Sequence, residues 1–134
     1  MSALSLSTRT TSFSMAGEII RCEFLPGAVV CIADAQEHVR LLTGFCQGTK
    51  VPVYVDLRHI HSQDRGTRAI YAGEQSAVFT KACALMVSSP VSKVLGSFFL
   101  GFNKPIYPTR LFTSEGEAMR WLSTFTAAQQ PAAT

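Results

Sequence analysis

Between Thr11 and Phe24 the apolar positions alternate. Thr11, Phe13 and Met15 are separated by polar neighbours, Ala16-Gly17 supplies a turn, and Ile20, Cys22 and Phe24 alternate on the return. A period of two over both arms predicts a β-hairpin, which Leu25-Pro26-Gly27 ends. From Ile32 the period lengthens: Ile32, Ala35, Val39, Leu42 and Cys46 lie along one helical stripe, and Gly48 is placed to stop it. Val51 to Leu57 is short and dense in β-branched and aromatic residues, the pattern of a buried central strand. Asp64 is suited to cap a short helix running through Ala69, Ile70 and Tyr71 to about Gly73.

The second half continues in the same style. Lys81 to Val87 predicts the next strand. Ser89 caps a helix with Pro90 in its first turn, where a missing N–H costs nothing. The stripe of that helix is Val91, Val94, Leu95, Phe98 and Phe102. Asn103 to Pro108 forms a rigid loop and Thr109 to Phe112 a last short strand. Ser114 and Glu117 have capping-box spacing, ahead of a final helix whose buried face is Ala118, Trp121, Leu122 and Phe125. The order is β-β-α-β-α-β-α-β-α. Strands separated by single helices favour parallel pairing, and the hairpin adds an antiparallel partner. The expected fold class is therefore α/β, one domain over residues 10–126 around a mixed sheet, with flexible ends at 1–9 and 127–134.

Composition narrows the function classes. At 134 residues, 47% of them apolar and 16% charged, the chain has ample material for one core, and global disorder is excluded. The lean charge fits some coverage by another subunit, so a homodimer is one expectation. The net charge is +3, but the cations are scattered. Nucleic-acid binding needs them clustered, so no nucleic-acid partner is expected. Cys22, Cys31, Cys46 and Cys83 show no CxxC spacing and read as reduced, buried thiols of a cytoplasmic protein. Ala82 to Phe102 carries a single charge, yet Ser88-Ser89-Pro90 interrupts it and Lys93 would sit at membrane depth. No membrane insertion is expected.

The element order resembles the STAS domain, the fold of bacterial anti-sigma-factor antagonists and of the cytoplasmic domain of sulfate transporters. Antagonists carry a hydrophobic-Asp/Asn-hydrophobic strand end and then Asp-Ser-Ser-Gly at a helix start. Here Val55-Asp56-Leu57 is followed by Asp64-Arg65-Gly66-Thr67 with the same gap. Ser89-Pro90 opening a helix and Phe112-Thr113-Ser114-Glu115 leading into the last one match as well. More closely, the stretches PVYVDLR, SSPVSKVLGSFFLGFNKP and PTRLFTSEGEAMRWL are similar to a group of uncharacterised bacterial STAS-like proteins. The resemblance implies a protein-interaction role in signalling. It also puts Gly66 where antagonists carry the phosphorylated serine, with Arg65 before it. Partner switching by phosphate does not carry over at that position, and Ser62 and Thr67 are the neighbouring hydroxyls left as phosphorylation candidates.

The chemistry between Asp56 and Arg68 has several readings. His59 and His61 are two apart and share a side of an extended segment, but zinc needs at least three protein ligands, and Arg58 and Arg65 would oppose a cation. No metal or other cofactor is expected. There is no nucleophile elbow and no phosphate-cradling glycine motif, so no enzyme activity is expected. Two helix N-termini, at Asp64–Gly66 and Ser89–Pro90, emerge from the same end of a parallel sheet and favour negative charge. Alternatively, Asp64 and Ser89 satisfy those amides themselves, and the arginines pair with Asp56, Asp64 or Glu74. The leading expectation is a partner-binding edge made by Asp56, Arg58, His59, His61, Asp64, Arg65, Thr67, Arg68, Ser88 and Ser89. The second is a carrier or sensor of a small apolar, lipid-like ligand. Phe98, Phe99, Leu100 and Phe102 would form its wall or a dimer surface, with Met86, Tyr71 and Phe79 behind them.

Overall fold

The computed structural model describes residues 6–88, 90, 92–94 and 105–126. Six strands form one sheet: β1 (Leu6–Ser7), β2 (Thr11–Ala16), β3 (Ile19–Phe24), β5 (Val51–Asp56), β7 (Thr80–Met86) and β8 (Thr109–Phe112). They lie side by side in that order. The hairpin β2–β3 is antiparallel, in register from Thr11 opposite Phe24 to Ala16 opposite Ile19. From β3 onward every pairing is parallel. A separate parallel ribbon joins β4 (Val29–Val30) to β6 (Ser62–Gln63). The helices are α1 (Ile32–Cys46), α2 (Arg65–Ala72), α3 (Glu74–Ala77) and α4 (Glu115–Ser123). Pro90 and Ser92–Val94 are also helical.

The sheet is buried on both faces. Phe13, Ile20, Cys22 and Val53 pack under Val39, Leu42 and Cys46 of α1. On the opposite face Ile19, Tyr54, Ala82, Ala84 and Met86 meet Ala118 and Leu122 of α4. Successive residues of β7 thus serve different layers, which is why that strand reads as an unbroken apolar run.

Several expectations need correction. Structure begins earlier than Thr10: β1 pairs with β2, and Arg9 donates to the Asp34 carboxylate of α1. The ribbon β4–β6 has no counterpart in the expected order, because two-residue strands carry no period. The short helix ends near Gly73 as expected, and α3 follows at once.

The buried side of α1 is rotated from the expected stripe. Ile32 is 44% exposed, whereas Asp34 and His38 are buried. Cys31 is exposed, against the expectation of four buried thiols. Asp34 accepts from the Cys31 backbone N–H at 3.0 Å and from its thiol at 3.2 Å, and so satisfies the first turn of α1. The helix ends on a left-handed Gln47 (φ 48°), followed by Gly48 (φ 86°).

Val94, expected on a buried stripe, is 58% exposed. Trp121 and Phe125 are half-buried beside the fully buried Ala118 and Leu122. Ser114 accepts from the Glu117 N–H at 3.3 Å, the expected cap. The expectations at Ser89, Val91, Leu95, Phe98, Phe99, Leu100, Phe102 and the tail 127–134 lie outside the described residues.

Candidate functional site: the rim at the strand ends

Because β3, β5, β7 and β8 run parallel, their C-terminal ends share one edge of the molecule. Asp56 of β5 lies opposite Met86 of β7, and the chain leaves both strands at that level. Leu57 N–H donates to the Met86 carbonyl and Val87 N–H to the Phe112 carbonyl, each at 2.9 Å. The arginine-bearing turn and Ser88 therefore emerge side by side. Ligand and partner sites in open parallel sheets favour this edge.

The turn after β5 is built around Asp56. Its carboxylate is buried and accepts the Arg58 backbone N–H at 2.9 Å, Arg58 Nε at 3.0 Å and Nη2 at 2.7 Å. Burial pushes this carboxyl up, but the three donors and the guanidinium charge outweigh burial and leave it below its ordinary pKa. Ile60 is buried and pins the loop from inside. The loop is also stitched to the segment after β3: Gly27 N–H donates to His59 O at 2.8 Å and His61 N–H to Ala28 O at 2.9 Å. His59 and His61 point outwards and are exposed, as is Arg65.

Asp64 caps α2. Its Oδ1 accepts the Thr67 N–H at 3.0 Å and the Thr67 hydroxyl at 2.7 Å, and these bonds hold its carboxyl below the usual range. The Thr67 side chain is fully buried. Arg68 is buried too and donates from Nη1 to the Gln63 carbonyl at 3.1 Å. The anion-binding reading of this helix start therefore loses the Thr67 amide and one of its cations. Asp56, Thr67 and Arg68 act behind the surface, while Arg58, His59, His61, Asp64, Arg65 and Ser88 remain on it. Among the described residues no group of three or more His, Cys, Asp or Glu side chains is placed to hold a metal ion.

The rim holds groups that the sequence did not single out. Val29 of the ribbon is 52% exposed, and Ile32 stands at the start of α1. Val29 pairs with Ser62, and Ile32 covers Gly66: a Cβ built on Gly66 would fall 2.5 Å from Ile32 Cδ1. These residues form an apolar step beside Arg65. On the opposite face of the sheet, Arg21 donates to Glu115 at 2.9 Å and stacks 4.7 Å over the Tyr54 ring, whose hydroxyl donates to the same carboxylate at 3.2 Å. This cluster draws on β3, β5 and α4, so no local motif announces it.

The α1 side of the sheet also holds a partly open cavity of about 40 Å³, which Tyr71 and Phe79 line. Met86 does not line it; it packs with Ala118 and Leu122 on the other face. His38, which also lines this cavity, is caged by Phe13, Phe24 and Tyr71, with Nδ1 3.0 Å from the Tyr71 hydroxyl and Nε2 3.7 Å from Cys22 Sγ. Burial drives the imidazole down to about 3 and the Cys22 thiol well up, so both stay neutral. A thiol and imidazole in those states are core groups and not a nucleophile–base pair.

With the architecture and rim in view, the fold itself is defined: it is SpoIIAA-like. The protein is similar to an anti-sigma factor antagonist from Mycobacterium paratuberculosis, at 12% identity and a TM-score of 0.63, over 88% of this chain and 99% of that one. An uncharacterised Shewanella loihica PV-4 protein of the DUF3478 family, with a SpoIIAA-like fold, matches at 12% identity and a TM-score of 0.60, over 87% and 98%. The antagonist SpoIIAA in its unphosphorylated form matches at 16% identity and a TM-score of 0.55, over 84% and 97%. The chain itself belongs to the family described as a domain of unknown function, DUF7793, which matches residues 13–126. No curated protein matches it.

Ile32 also explains why position 66 suits a glycine. In Gly66→Ser the new Cβ meets the tip of a flexible side chain, which must swing outwards. We expect a loss of about 1 kcal/mol in urea unfolding. In an Ile32→Ala background the same change should be neutral, and equal losses in both backgrounds would rule out this contact as the cause.

Proposed function

We propose that this protein is a non-catalytic regulatory module of bacterial signalling, acting in the cytoplasm, that binds a partner protein through the rim. The observation that carries this reading is the pinned turn. Asp56 holds Arg58, Ile60 anchors the loop, and two cross-loop bonds tie it to the β3–α1 segment. A rigid platform results, on which Val29, Ile32, His59, His61 and Arg65 stand outwards. An apolar centre with a basic and polar border is the composition of a protein-recognition patch. The SpoIIAA-like fold supports the same class, since the anti-sigma factor antagonist among its neighbours is a regulator by its own description.

Phosphorylation, where it occurs, falls on Ser62, which is half-buried in β6; the Thr67 hydroxyl is buried and bonded to Asp64. Intact-mass measurement of protein from its own host detects it, and peptide mapping by tandem mass spectrometry places it. A phosphate that maps to Thr67 instead would mean that α2 opens.

The carrier reading gains nothing from the cavity. Pockets for drug-sized ligands run to roughly 300–1,000 Å³, far above the 40 Å³ of this cavity, and the wall expected for such a ligand, Phe98, Phe99, Leu100 and Phe102, lies outside the described residues. The interaction reading is tested by quantitative affinity purification from the host with wild type, Ile32→Asp and Arg65→Glu. Recovery of the partner should fall about tenfold or more in each variant, roughly 1.4 kcal/mol. Equal recovery in all three removes the rim from the function.

A further inference from the structure

Gln63 is 7% exposed, and among the described residues neither its side-chain Nε2 nor its Oε1 has a hydrogen-bond partner. A primary amide buried without partners is rare, because losing its hydration costs about as much as several good contacts return. The residue forms part of the wall of the 40 Å³ cavity, whose remaining walls are largely apolar: Phe24, Val53, Leu57, Phe79 and Leu85. Tyr71, Tyr107 and Thr109 also reach it. Their hydroxyls already donate or pair elsewhere, Tyr107 to the Tyr71 carbonyl at 2.6 Å and Thr109 to the Tyr107 carbonyl at 3.0 Å. A hydroxyl oxygen that donates once still has room to accept.

We propose that this cavity is a structural water site, in which a small internal cluster satisfies the Gln63 amide and fastens the β4–β6 ribbon to the core. Volume selects the ligand. A water needs about 10–15 Å³ measured this way, so the space holds roughly three or four; a benzene-sized molecule needs about 150 Å³. Polarity selects it too, since a dry cavity of this size would be lined by apolar groups alone. Gln63 is in β6, and its carbonyl accepts from buried Arg68, so water bound at its side chain holds the ribbon from the inside. The site stands or falls independently of what the rim binds.

The test is water-selective NOE and ROE spectroscopy on ¹⁵N-labelled wild-type protein. The Gln63 side-chain NH₂ should show a water cross-peak with NOE and ROE of opposite sign, the signature of dipolar contact with a water held for longer than about a nanosecond. No cross-peak, or one with the sign of chemical exchange, overturns the proposal. The variant Gln63→Met, of similar length but apolar, reads the same question by stability. With water present it strands that water and lowers Tm by about 3–6 °C. An unchanged or raised Tm, the result of deleting an amide that had no partner, also overturns it. Should Gln63→Met fail to fold, the wild-type spectrum decides alone.

Discussion

Acidification from pH 7.5 to pH 5 should cost the protein about 2 kcal/mol of stability, and His38→Gln should abolish most of that loss. His38 is 4% exposed, and burial takes its pKa down from 6.5 to about 3. An imidazole lowered on folding is neutral in the native state over a range where the unfolded chain takes up a proton. The unfolded state then binds more protons, so stability falls with pH, starting near 6.5 and levelling only near 3. The slope approaches about 1.4 kcal/mol per pH unit. The carboxylates act in a different window. Asp64 and Glu115 are held low by bonds from Thr67 and Arg21, and in Asp34 and Asp56 the donors outweigh burial. Their contributions are present above their ordinary pKa and are lost only as pH falls below about 4. Glutamine retains an acceptor for the Tyr71 hydroxyl and does not titrate. Urea unfolding of wild type and His38→Gln at pH 7.5, 6.5 and 5 measures the difference. Parallel curves would mean that His38 is charged in the fold or is not the group responsible.

Asp56→Ala should be the most damaging single change at the rim, at about 2–3 kcal/mol. Three donors converge on this buried carboxylate, and one of them is the backbone N–H that fixes the turn. Removal of one member of a buried pair can cost roughly 3–5 kcal/mol, but the Arg58 side chain is about one-third exposed and regains water, which lowers the figure. Asp56→Asn keeps an acceptor for the turn and should lose only about 1 kcal/mol. On the proposed function both variants also lose partner, Asp56→Ala more than Asp56→Asn, since Arg58 and His59 are no longer held. Loss of less than 0.5 kcal/mol in Asp56→Ala would show that Ile60 and the cross-loop bonds set the turn without it.

Regular elements were legible because each carries a period. The hairpin, α1, β5, β7, β8 and α4 were all readable from alternation, helical spacing or capping residues. Where the period is too short to register, as in the two-residue β1, β4 and β6, sequence reading has nothing to detect. The stripe of α1 was misread at one end. Ile32 fits a helical stripe by hydrophobicity, but it sits at the helix start, beyond the edge of the core, where it covers Gly66. His38 was passed over because a lone histidine has no apolar signature; only the rings of Phe13, Phe24 and Tyr71 around it make it a core residue. At the rim, Asp56 and Arg58 were local and could be found. Arg21, Tyr54 and Glu115 come from three separate elements and meet only after folding.

Local order, then, was written in the amino acids themselves: hydrophobic spacing and cap chemistry act over three to seven residues and need no tertiary partner to be read. Which arginine is buried, which hydroxyl is spent on a cap, and which isoleucine is left outside depend on contacts between segments far apart in the chain. Those were settled by how the layers close on the sheet, because burial is a property of the assembled fold and not of any stretch within it.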